Sequence, residues 1–166
     1  YKINEWALPK LKQFRTYIDI GAGNGDKTLP YVKKFKRVYA FEPNPKSNQL
    51  IPNSIKMFPY KLGDVEKETV LYTDGGKQQF SVTQKTLDSF VFVYIDLIKV
   101  DVGKSELDVL MGSVNTIVKW HPVVIFRNDL VVDFFKELRY NVKKHDSDWI
   151  ASVSYTHLRA HETLRY

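Results

Sequence analysis

The chain contains no cysteine. Disulfides and thiolate metal sites are thereby excluded, and a reducing compartment is compatible with the composition. Histidine is scarce at four, two of which (His157 and His161) lie near the end, and methionine occurs only twice. Long hydrophobic runs are missing as well. The longest, Phe90 to Leu97, is interrupted by Asp96 and has the length of a strand, far short of a bilayer span. No signal-peptide pattern opens the sequence, so the expectation is a cytoplasmic protein without membrane contact.

What is present suits one globular domain. The 166 residues are 43% hydrophobic and 14% aromatic, enough for a substantial core. The formal net charge of +6 owes much to Lys33, Lys34, Lys36, Arg37, Lys143 and Lys144, clustered at the ends of elements. No interleaved aromatic and basic pattern accompanies them. A solvated surface explains the charge, and nucleic acid is not an expected partner. Tyr1 in place of an initiator methionine suggests a truncated N-terminus. Residues 153–166 resemble translated sequencing-library adapter, which leaves a single domain over residues 1–152. The i, i+4 pair His157 and His161 falls in that tail, and no metal site is expected. Oligomeric state is not readable.

Chemistry concentrates in Tyr17-Ile18-Asp19-Ile20-Gly21-Ala22-Gly23-Asn24-Gly25-Asp26 and in Val38-Tyr39-Ala40-Phe41-Glu42-Pro43. An apolar strand runs into alternating glycines, which let a backbone approach a ligand closely. A second apolar strand ends in Glu42, where a carboxylate can accept from a ribose diol. The pairing points to a nucleoside-type cofactor across the ends of two adjacent parallel strands. The dinucleotide fingerprint G-x-G-x-x-G ends in a glycine that lets helix and strand pack closely, with pyrophosphate on the helix N-terminus. Here that place is held by Asp26, whose carboxylate would repel a diphosphate. A phosphate-free, sulfonium-bearing cofactor meets no such repulsion. The two segments resemble the first two cofactor motifs of class I S-adenosylmethionine-dependent methyltransferases.

Short apolar runs alternating with helical patterns predict an α/β fold with a mainly parallel sheet. Strands are expected at 17–20, 37–41, 55–62, 93–100 and 123–126. Helices are expected from Asp26 to about Phe35, near 46–50, from Ser105 to about Lys119, and over 131–138. Asp74-Gly75-Gly76 between 69–73 and 79–83 signals an inserted β-hairpin. Segments 141–144 and 148–152 are expected to close the sheet as an antiparallel pair.

Thr86-Leu87-Asp88-Ser89-Phe90, Ile95-Asp96-Leu97-Ile98-Lys99-Val100-Asp101-Val102, then Glu106, Leu110, Gly112 and Pro122-Val123-Val124-Ile125 are similar to the FkbM-type methyltransferase family. The resemblance spans about residues 17 to 150. It implies a Rossmann-like three-layer sandwich, S-adenosyl-L-methionine as methyl donor, and O-methylation of a sugar or another small hydroxylated metabolite or glycan precursor. Two departures stand out. The family's D-x-E-G-x-E becomes Asp101-Val102-Gly103-Lys104-Ser105-Glu106, and Arg127 follows the fifth strand where an acid is usual.

On this basis Asp19, Gly21, Ala22, Gly23, Asn24, Gly25, Glu42, Pro43 and Asp64 are the candidate cofactor-binding residues. Glu42 is assigned the ribose and Asp64 the adenine amino group; Asp19 either meets the methionine ammonium or only holds the turn. Asp101, Lys99 and Glu106 are the candidate catalytic residues, Asp101 facing the acceptor hydroxyl. Lys99 and Asp101 could instead form a salt bridge beneath the site, and a carboxylate at Glu106 is favoured by the helix dipole alone. Three alternatives remain at this level: an NAD(P)-type oxidoreductase using the same diol grip, a cofactor-binding module without activity, and a basic methyltransferase that faces RNA.

Overall fold

The computed structural model describes residues 3–154. All but Val153 and Ser154 of the adapter-like tail, including His157 and His161, lies outside the described residues. The chain builds a seven-stranded sheet and a small three-stranded sheet. The strands are β1 (Thr16–Ile20), β2 (Arg37–Phe41), β3 (Lys56–Phe58), β4 (Lys61–Leu62), β5 (Lys67–Thr73), β6 (Gln78–Lys85), β7 (Ile95–Val100), β8 (Val123–Phe126), β9 (Asn141–His145) and β10 (Asp148–Ser152). The helices are α1 (Pro45–Asn48), α2 (Glu106–Met111), α3 (Val114–Trp120) and α4 (Val132–Glu137).

The large sheet runs β3-β2-β1-β7-β8-β10-β9, and the small one β4-β6-β5. The contacts among β3, β2, β1, β7 and β8 are parallel; β10 pairs antiparallel with both β8 and β9. Strands β1, β7 and β8 are buried on both faces, as parallel strands covered on each side must be. One face carries Ile18, Ile20, Ile98, Leu110, Ile117 and Phe135 in a core with the α2–α4 side. The other carries Tyr17, Ala40, Leu97 and Ile125 against Ala7, Tyr31 and Phe35. The result is the expected three-layer, Rossmann-like sandwich with an inserted hairpin and an antiparallel closure.

Three expected elements differ. No α-helix forms between Asp26 and Phe35, where Leu29–Tyr31 makes a single 3-10 turn. The Leu29 amide reaches the Gly25 carbonyl at 2.9 Å, but Pro30 has no N–H to bond the carbonyl of Asp26, so that α-type turn is not continued at the next residue. The third strand is split by Pro59 into β3, which joins the large sheet beside β2, and β4, which joins β6. The helix expected over 105–119 is two helices. Asp88 supplies the break: its carboxylate accepts from the amides of Asn115 (3.1 Å) and Thr116 (2.8 Å) and so satisfies orphan donors of α3. Its own amide donates to the Gly112 carbonyl at 2.9 Å, pinning the junction.

Candidate functional site

The chain leaves β1 for β2 on one side and later returns to β7 on the other. The carboxyl ends of β1 and β7 therefore flank a topological switch point, where open α/β sheets bind ligands. A cavity of about 200 Å³ opens there, lined by Ile20 and Gly21 at the end of β1, by Phe41, Glu42 and Pro43 at the end of β2, and by Asp101, Val102 and Ser105 after β7. Tyr60, Lys61, Leu62 and Leu71 complete the wall from the small sheet and its approach.

The glycine turn is held against both neighbouring strands. The amides of Gly21 (2.9 Å) and Ala22 (3.2 Å) donate to the Phe41 carbonyl, and the Asp101 amide donates to the Ile20 carbonyl at 2.9 Å. Gly21 has φ +82°, and a Cβ there would collide with the Asp101 carbonyl oxygen. Only glycine lets these two strand ends approach so closely.

Glu42 is half-buried at the cavity wall. Its Oε2 accepts from the Gly23 amide at 2.8 Å and its Oε1 from the Asn44 amide at 2.9 Å. Burial pushes its carboxyl above the ordinary range, the two amides pull it down, and the charge of Asp19 adds to the upward shift. A carboxylate has about four acceptor positions, so two amide bonds leave capacity for a ligand diol. Asn44 also accepts from the Lys46 amide at 3.0 Å, capping α1 with Pro45 in its first turn. That cap fixes the segment carrying Glu42 and Pro43.

Asp19 is completely buried beneath the turn. Its Oδ2 accepts from the Thr28 hydroxyl at 2.5 Å, and its Oδ1 lies 3.3 Å from Lys99 Nζ. The register pairs Asp19 with Lys99 directly across β1 and β7. Lys99 is thus an internal partner of Asp19 and is not among the residues lining the cavity. Asn24 is exposed and bonded to Asp26, its Nδ2 donating to Asp26 Oδ2 at 2.9 Å. Gly25 is buried.

Two further candidates stand away from the cavity. Asp64 is exposed and absent from its wall, because Pro59 ends β3 early and the chain past Leu62 turns into the hairpin. Glu106 is 1% exposed. It accepts from the amides of Arg127 (3.2 Å) and Asn128 (2.7 Å), fastening the loop after β8. Burial pushes its carboxyl up against the lowering pull of those amides, and the charge of Asp101 adds to the rise. Glu106 therefore holds a loop; it does not face the cavity. Arg127, the residue in place of an acid, donates from Nε to Asp148 Oδ1 on β10 at 2.9 Å.

Sequence reasoning missed Tyr60, Lys61, Leu62, Leu71, Val102 and Ser105. Alternation within the hairpin was the available signal for Leu71, whose pairing with Phe80 puts both on one face of the small sheet.

This fold is that of the class I methyltransferases. Residues 67–148 match the family model described as Methyltransferase FkbM domain. A methyltransferase FkbM structure from Methylobacillus flagellatus KT superposes with a TM-score of 0.66 at 17% identity, over 85% of this chain and 44% of that one. The chain thus spans less than half of that relative. A Streptococcus mutans protein solved in complex with SAH gives 0.53 at 15% identity, covering 87% of this chain and 92% of that one. A precorrin-6y C5,15-methyltransferase from Geobacter metallireducens GS-15 gives 0.53 at 14% identity over 88% and 84%. No curated protein matches. By family model and by fold, the chain resembles the FkbM-type methyltransferases. The matched residues begin after the glycine turn and Glu42, so the family resemblance and the cofactor motifs stand on different stretches of chain.

Proposed function

We propose that the chain binds S-adenosyl-L-methionine at the switch point and transfers its methyl group to an oxygen of a small hydroxylated metabolite or sugar. The observation that carries this reading is Glu42, a half-buried acceptor at the end of β2, fixed by the Gly23 and Asn44 amides and facing the cavity beside the glycine turn. The residues present suit the group. Gly21 keeps side-chain bulk out of the place where the strand ends meet, Glu42 keeps acceptor positions for a ribose diol, and Pro43, Leu62 and Leu71 offer apolar surface. The SAH complex of the Streptococcus mutans neighbour supports the choice of cofactor.

When bound, the cofactor supplies a methyl group on a positive sulfonium that is already a good leaving group. The protein's work is then alignment and exclusion of water, and positioning alone lowers barriers by roughly 7–11 kcal/mol in the best cases. Asp101 is half-buried and lines the cavity beyond β7, which supports assigning it to orient an acceptor hydroxyl and take its proton. Glu106 serves indirectly, holding the 127–128 loop beside that end of the sheet.

The oxidoreductase alternative is disfavoured by the chain after the glycines. A dinucleotide places its pyrophosphate on a helix N-terminus, and here the turn leads only to the 3-10 segment Leu29–Tyr31, with exposed Asp26 at its approach. The test is transfer of labelled methyl from S-adenosylmethionine to a pool of sugars and small hydroxylated metabolites. Label on an acceptor hydroxyl supports the proposal. Binding of the cofactor with no transfer to any acceptor would favour an inactive module, and exclusive transfer to nitrogen or carbon would overturn the O-methylation.

A further inference from the structure

Asp64, the carboxylate expected to meet the base, is absent from the cavity wall, and the wall instead includes a cationic residue, Lys61. Asp64 is exposed outside, whereas Lys61, on the chain that follows β3, lines the wall with Pro43, Tyr60, Leu62 and Leu71. Its position is engineered by its neighbours. Lys61 Nζ donates to Gln84 Oε1 at 2.9 Å, and Gln84, 2% exposed, donates from Nε2 to the Val65 carbonyl at 2.9 Å. That second bond fixes which end of the Gln84 amide faces the lysine. The strand register agrees, since Lys61 pairs directly with Gln84 across β4 and β6. Among the described residues Lys61 forms no ion pair. An ammonium has three N–H donors and no acceptor; Gln84 takes one.

We propose that Lys61, positioned by Gln84, is the residue that reads the edge of the cofactor's purine, donating to ring nitrogen N7 where a carboxylate would accept from the neighbouring 6-amino group. The proposal rests on the S-adenosylmethionine reading and adds a specificity to it. A site built to accept from the amino group rejects a purine lacking it by orders of magnitude, because a buried acceptor is left unpaired. A site built on a donor leaves no such acceptor behind. Replacing the 6-amino group by a carbonyl turns N1 into an N–H donor but keeps N7 as an acceptor and adds O6 beside it, so a Lys61 that donates to N7 keeps a partner. The base slot is therefore tolerant of the deaminated cofactor.

The experiment is calorimetric titration of the full chain with S-adenosylhomocysteine and with its 6-oxo analogue, S-inosylhomocysteine. The two dissociation constants are expected within about threefold of each other. Lys61→Met weakens both by about tenfold or more, the scale of a lost charge-assisted hydrogen bond, while Lys61→Arg, which keeps a donor, retains most of the affinity. Thermal unfolding of ligand-free Lys61→Met at the wild-type temperature establishes that its fold is intact. Rejection of the 6-oxo analogue by 100-fold or more, with Lys61→Met binding S-adenosylhomocysteine like wild type, overturns the proposal and leaves the cofactor reading standing. Failure of wild type to bind S-adenosylhomocysteine removes both.

Discussion

Lys99 Nζ lies 3.3 Å from Asp19 Oδ1, joining two side chains that are 2% and 0% exposed across the centre of the sheet. A charge taken out of water is tolerated only with a partner. The pair ties β1 to β7 directly below the glycine turn, and Thr28 completes it from the chain that follows the turn. Removing one partner deprives the other, still buried, of this ion pair. Lys99→Met and Asp19→Asn are each expected to destabilise by about 3–5 kcal/mol, and the double variant by much less than their sum. Urea denaturation of the three variants checks this; additive losses would show that the two charges do not depend on each other.

Gly21 and Gly23 differ in what surrounds them. Both have positive φ, but a Cβ on Gly21 meets the Asp101 carbonyl, whereas one on Gly23 meets nothing within 4 Å. Gly21→Ala is expected to lose about 3 kcal/mol or more, from strain together with overpacking. Gly23→Ala bears only the backbone strain, roughly 1–2 kcal/mol. Denaturant midpoints rank the two variants, and equal losses would contradict the close approach of β1 and β7.

Glu106 gives stability a direction with pH. Its carboxyl is raised in the folded protein by burial, so the folded state holds the proton more tightly than the unfolded chain. The stability this confers is complete below the ordinary glutamate pKa of about 4.3 and is lost as pH rises through the raised value. The stability difference between wild type and Glu106→Gln should accordingly shrink as pH rises from about 4.3 through that raised value. Urea midpoints across that range measure it. A wild-type advantage that grows with pH would contradict the assignment.

Much of the fold was legible in local pattern. Residues 37–41 and 123–126 are the expected strands, and Asp74-Gly75-Gly76 turns the hairpin. The misses share a cause: they were settled by partners remote in sequence or by a single proline. Helical periodicity runs through residues 105–119, yet Asp88, from another segment, splits it by capping α3. Pro59 moved Asp64 away from the cavity and brought Lys61 to it. For the candidate site, Glu42, Pro43 and Gly21 stood out as strand-end residues, and the structure gathers them with Asp101 around one cavity. The partners of Lys99 and Glu106 could not be read, since both follow from cross-strand or cross-loop register. Asp19↔Lys99 joins positions that only the parallel pairing of β1 with β7 brings together.

Glu42 also predicts the pH dependence of binding. Protonation removes acceptor capacity from a carboxyl already raised by burial, so affinity for S-adenosylhomocysteine should fall as pH drops through that raised value, beginning above the ordinary glutamate range near about 4.3. Titrations from neutral pH downward check it; affinity unchanged to pH 4 would remove Glu42 from the ribose.

The most direct test of the whole account is calorimetric titration of wild type and Glu42→Ala with S-adenosylhomocysteine and with NAD. The account predicts that wild type binds S-adenosylhomocysteine and not NAD, and that Glu42→Ala loses roughly 10–100-fold in affinity, the scale of charge-assisted hydrogen bonds to a ribose diol. Equal binding by the variant, or a preference for NAD, would contradict it.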